Sequence, residues 1–145
     1  MSPPVEPYPP AQIQAAIAFG KWVAWGLYRA DELAEGLVNV AVANGYKASL
    51  GGLRITLMWR LLDSAREWEL RRDRVEREIG WRLRPELEGR APSADLVRLA
   101  DDINHRFGTP LAPGEPRELV REHVAHHFLR TRTHSTMREG LRHAA

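Results

Sequence analysis

The chain has 145 residues, 43% of them hydrophobic and 28% charged, with a net charge of +2 and no cysteine. That length and apolar content fit one helical or mixed domain around one core, and the missing thiols exclude a disulfide framework and a thiolate metal site. No basic-then-apolar leader opens the chain and no apolar run reaches the roughly 18 to 20 residues of a membrane span, so a cytoplasmic protein without a membrane partner is expected.

Residues 1–10 hold five prolines and read as an extended arm preceding a domain over 11–145. Pro10 suits the first helical position. From there Ile13, Ala16, Ile17, Gly20, Ala24 and Leu27 recur at helical spacing. Asp31 reads as the N-cap of a second helix through Leu33, Leu37, Val40 and Ala41, and Asn44-Gly45 as its stop.

Ser49 can open a third helix, over about 50–84, which is the longest of the chain. Leu53, Leu57, Leu61, Ala65, Trp68, Val75 and Ile79 form one apolar stripe along it. Pro85 disfavours helix in the residue before it and sets the expected end. Glu67–Arg71, Asp73–Arg77 and Glu78–Arg82 are spaced for i,i+4 ion pairs. A helix that long exceeds the width of a compact domain, so Trp68, Val75, Ile79 and Trp81 need cover from the C-terminal helices or from another copy of the protein.

Residues 85–93 read as a linker. Ser93 then caps a fourth helix with Leu96, Leu99, Ala100 and Ile103 inward and Gly108 just past its end. A Pro/Gly-rich turn leads to a fifth helix from Pro116 through Leu119, Val120, Val124 and Phe128, and Thr133 or Ser135 can cap a short sixth. No strand pattern or repeat interrupts this order. The expected fold is all-α, a five- or six-helix bundle with one long central helix.

Three constellations could carry chemistry. His123 and His127 share a helix face at i,i+4 spacing, with His126 beside them; a solvated face and a zinc pair are both compatible with that spacing, while the Glu that a metalloprotease helix places between its histidines is missing. The basic residues are 19 Arg against 2 Lys. Base composition of the genome and selection for bidentate phosphate contact both produce such a bias. Finally, Trp22, Trp25, Trp59, Trp68 and Trp81 are spread over several helices. Most are expected in the core or at interfaces, although aromatics beside arginine also form stacking platforms.

The stretch Arg121-Glu-His-Val-Ala-His126-His-Phe128 resembles the R-x4-H motif of HEPN ribonucleases, a family of small all-helical proteins. That resemblance implies Arg121 and His126 as a catalytic pair at an RNA phosphate, with Glu122 standing where the family usually has a small polar residue. Residues 99–143 more broadly resemble the small helical module that follows the polymerase domain in plasmid and phage primases and replication initiators. Asn104, Phe107, Pro110-Leu111, Glu115, Arg117 and Arg121 fall in its order, followed by the basic stretch Arg130-Thr-Arg-Thr-His134. The primase catalytic domain has no counterpart, so this resemblance implies DNA binding rather than polymerisation. The expected function is therefore a non-catalytic, DNA-binding accessory in replication or maintenance of a mobile element, needing no cofactor. Arg117, Arg121, Arg130, Arg132 and Arg138 are the expected phosphate contacts. A HEPN-type ribonuclease and a helical assembly protein that docks through the long helix are the alternatives.

Overall fold

In the computed structural model, residues 8–89 and 95–143 are described, with side chains through residue 132. They form five helices and, among the described residues, no strand: α1 (Pro10–Ala24), α2 (Ala30–Ala43), α3 (Leu50–Glu88), α4 (Leu96–Arg106) and α5 (Glu115–His143). The all-α class and the long central helix are as expected. None of these helices is long and apolar enough to cross a membrane.

The ends of the elements follow local chemistry. Pro10 is the first residue of α1, where its missing N–H removes a donor that no carbonyl would have met. α1, α2 and α4 all stop in the same way. Gly26, Gly45 and Gly108 take positive φ, and the N–H three residues past each helix reaches back five positions, from Leu27 to Trp22, Tyr46 to Ala41 and Thr109 to Asn104. This paired wrap satisfies carbonyls that the helix leaves open. Ser49 caps α3 as expected, its Oγ accepting from the Gly52 N–H at 3.1 Å.

Several expected boundaries are corrected. α1 ends at Ala24, so Leu27 belongs to its closing turn. Asp31 is not the cap of α2. It sits inside the first turn, where its carboxylate meets the Arg29 guanidinium and the Glu32 N–H. The cap of α4 is Asp95, accepting from the Arg98 N–H at 3.0 Å, while Ser93 lies outside the described residues. α3 runs through Pro85 to Glu88. Proline removes one backbone donor, but the extra turn carries Leu87 onto a buried cluster, and that burial retains it. α5 begins at Glu115 and continues without a break to His143, so no sixth helix is capped at Thr133 or Ser135. The nearby Thr131 hydroxyl shows the competing use of such side chains, donating back to the His127 carbonyl at 2.8 Å.

The chain divides into two compact units, residues 1–71 and 72–145. Where chain length suggested one core, the buried side chains collect into two. In the N-terminal unit Ala16 of α1 and Ala34, Leu37, Val38 and Ala41 of α2 close over Leu53, Leu57 and Leu61 of α3. α1 approaches α3 through small residues. Gly20 lies on Ser64, whose Oγ donates to the Ile17 carbonyl at 2.5 Å. In the C-terminal unit Val75, Ile79 and Leu83 of α3 pack with Ala100 and Ile103 of α4, Leu111 of the turn and Val120 of α5. Arg72 ties the start of α5 to α3, pairing with both Glu76 and Glu115.

Candidate functional site

The hairpin α4–turn–α5 rests on a buried side-chain clamp. The Asn104 Oδ1 accepts from the Leu111 N–H at 2.9 Å, and its Nδ2 donates to the Leu111 carbonyl at 3.4 Å. Pro110 and Leu111 are buried, Phe107 packs against the same cluster, and the Glu115 carboxylate accepts from the Ala112 N–H at 3.3 Å. Asn104, Phe107, Pro110, Leu111 and Glu115 thus build the hairpin itself. Most of the residues that carry the resemblance to the primase-associated module have this scaffolding role.

Within the C-terminal unit an open groove of about 860 Å³ runs between α3 and α5. α3 contributes Arg77, Gly80, Trp81, Arg84 and the carboxylates Asp73, Glu76 and Glu88. α5 contributes His123, His126, His127 and Arg130. The His123 ring lies over Gly80, where a Cβ would sit 3.2 Å from Cε1. Trp81 is 70% exposed, a large aromatic surface left in water beside guanidinium groups. Glu76 is engaged by Arg72 at 3.4 Å and Glu88 by Arg84 at 3.2 Å. Three guanidinium groups therefore balance three carboxylates at the groove.

The expected site residues are only partly brought together. His123, His126 and His127 do share the groove with Arg130. They do not form a metal site: among the described residues no three His, Asp or Glu side chains gather closely enough to hold an ion. Arg121 lies elsewhere. Five residues turn a helix by roughly 140° beyond a full revolution, which carries Arg121 away from His126. Arg121 lines a separate apolar depression with Arg117, Val97, Val124 and Phe128, and it pairs with Glu118 at 3.3 Å. A single chain thus does not aim Arg121 and His126 at one phosphate. The five arginines expected to contact phosphate are likewise not one patch: Arg130 is in the groove, Arg117 and Arg121 are on the other face, Arg132 is exposed, and the Arg138 side chain lies outside the described residues.

The cover expected for the long helix comes, for Val75 and Ile79, from the C-terminal helices. Val75 and Ile79 are fully buried under α4 and α5 of the same chain. They are therefore covered intramolecularly and cannot serve a second copy. Trp68 is half-buried, with the Lys21 ammonium 4.7 Å and the Arg71 guanidinium 4.6 Å from its ring centroid. Arg71 is thereby drawn to the ring, and of the three expected ion pairs only Arg82–Glu78 closes, at 3.9 Å. Trp81, and Trp59 in the other unit, are exposed rather than core. The tryptophan count alone could not separate them, but Trp81 stands two residues past buried Ile79, outside the repeating apolar positions of its helix. No family model, curated protein or solved structure matches the chain.

Proposed function

We propose that the C-terminal unit binds single-stranded DNA in the groove between α3 and α5, as a non-catalytic accessory. The observation that carries this reading is the exposed Trp81 ring in a groove shared with Arg77, Arg84 and Arg130. A base can stack on an indole whatever its sequence, while neighbouring guanidinium groups reach the phosphates that follow. Glu76 and Glu88 are already engaged by Arg72 and Arg84, which leaves Arg77 and Arg130 as the two cations to meet the strand. A role in replication or maintenance of a mobile element is what the resemblance of residues 99–143 adds to this reading.

The test is fluorescence anisotropy of a labelled oligothymidine against the full chain across a salt series. Binding at low salt is expected, falling as salt rises because neutralised phosphates release counterions. Replacing Arg77 and Arg130 by Ala should lower the slope by roughly 0.7 per lost contact on a single strand. Trp81→Ala should cost about 1–3 kcal/mol of affinity. No binding at low salt, or an affinity untouched by Trp81→Ala, overturns the reading.

A further inference from the structure

Four of the eleven exposed large apolar side chains of the N-terminal unit gather on one face of α3. Ile55, Trp59, Leu62 and Leu70 are 61%, 68%, 51% and 62% exposed, and none belongs to the N-terminal core. At 100° per residue they fall within about 80° of arc on α3, on the side opposite Leu53, Leu57 and Leu61. The helix is therefore apolar on two faces, one covered by α1 and α2 and one bare. Arg66 lies in the middle of the bare stripe and Asp63 on its edge. Both are exposed, and neither forms an ion pair among the described residues.

We infer that this stripe is an interface between two copies of the chain, with their α3 helices antiparallel about a two-fold axis near Leu62 and Asp63. In that register the stripe complements itself. Ile55 of one copy meets Leu70 of the second copy, and Leu62 meets the turn that carries its own twin. Trp59 of one copy faces Arg66 of the second copy, a guanidinium over an indole, and Asp63 lies one turn along, within reach of the same cation. Two-fold symmetry makes each contact twice. A parallel in-register pairing instead sets Arg66 against Arg66 and Asp63 against Asp63, like charges across a dry seam. Nucleic acid is a poor occupant, because Asp63, Glu67 and Glu69 on and beside the stripe repel phosphate. A copy of the same helix satisfies both the apolar side chains and the two lone charges.

Sedimentation equilibrium of the full chain tests this. The expected mass is twice 16.5 kDa, about 33 kDa, and Leu62→Glu should give the monomer with its helical circular dichroism retained. Arg66→Asp should also weaken the dimer, and adding Asp63→Arg should restore it, which identifies the pairing whatever Leu62→Glu does to folding. Because the chain has no cysteine, orientation can be read directly. Leu62→Cys should cross-link to its twin on oxidation. Ile55→Cys should not, since two copies of position 55 lie about 22 Å apart along antiparallel helices. A wild-type chain that stays monomeric to its solubility limit overturns the proposal. So does a dimer that survives both Leu62→Glu and Arg66→Asp, or efficient cross-linking through Ile55→Cys.

Discussion

Gly20 of α1 and Ser64 of α3 touch so closely that a Cβ on the glycine would lie 2.2 Å from the serine Oγ and 2.8 Å from the backbone N of Ala65. The approach is held by the Ser64 hydroxyl, which donates to the Ile17 carbonyl one turn earlier. Gly20→Ala therefore has two opposed effects. It gains about 1 kcal/mol of helix propensity. It also forces apart two helices where one neighbour is backbone that cannot rotate away, and such overpacking costs about 1–3 kcal/mol. The net expectation is a loss, seen as a lower midpoint in urea with an unchanged slope. Ser64→Ala should cost less, about 1 kcal/mol for the lost hydrogen bond.

The clamp between Asn104 and Leu111 supports a second expectation. Asn104→Ala leaves a buried N–H and a buried carbonyl of Leu111 without partners, and each such group costs about 1–3 kcal/mol. Asn104→Asp keeps the acceptor for the Leu111 N–H but turns the donor into a carboxylate oxygen facing the Leu111 carbonyl. It should also destabilise, and more so above the carboxylate titration range than below it. Thermal unfolding of the two variants against wild type checks the order.

These two contacts show what the amino-acid pattern could and could not reveal. The stripe from Leu53 to Ile79, the glycines that end α2 and α4, and the Ser49 cap are local features, and each was legible because helical spacing and turn chemistry act over a few residues. The switch between cores was not. The stripe positions Leu61 and Val75 look alike in sequence, but α1 and α2 cover the first and α4 and α5 the second. Pro85 was read by its own preference, which the burial of Leu87 overrides. At the groove, the three histidines were visible as a cluster on one helix, Arg130 as part of the basic stretch after it, and Trp81 as an aromatic of the long helix in need of cover. That these meet one another, and Arg77 and Gly80 with them, was not visible, because α3 lies about forty residues away and meets α5 only through the tertiary fold. The absence of a side chain at Gly80, inside a helical run, was the one available signal.

Lys21 lies against Trp25 and Trp68, and burial pushes its ammonium below the ordinary lysine value of 10.5. A folded-state value below the unfolded one means that the unfolded chain holds the proton more tightly. The charged lysine is thus a cost to folding at neutral pH, and that cost is relieved as pH rises from the lowered value towards 10.5. Wild type should gain stability across that window relative to Lys21→Met, which keeps the stem but has no proton to lose. Denaturation of both proteins over an alkaline series measures the difference. An equal response of the two would remove Lys21 as the source.

The same glycine-to-alanine change should have the opposite sign at two other helical positions. Gly36 in α2 has nothing within 4 Å of where its Cβ would lie, so Gly36→Ala should return close to the full propensity gain of about 1 kcal/mol. Gly80 in α3 is intermediate. Its Cβ would meet the His123 ring at 3.2 Å at Cε1 and 3.5 Å at Nε2. The neighbour there is the far end of a half-buried side chain on an open groove, not backbone, and a small change of its torsions restores an ordinary contact. Gly80→Ala should therefore stabilise the C-terminal unit, by less than Gly36→Ala stabilises the N-terminal one, while shifting His123 within the groove. Chemical denaturation of Gly20→Ala, Gly36→Ala and Gly80→Ala side by side should rank Gly36→Ala above Gly80→Ala, with Gly20→Ala below wild type. A Gly80→Ala protein less stable than wild type would show that α5 cannot yield at His123, and that the groove floor is rigid.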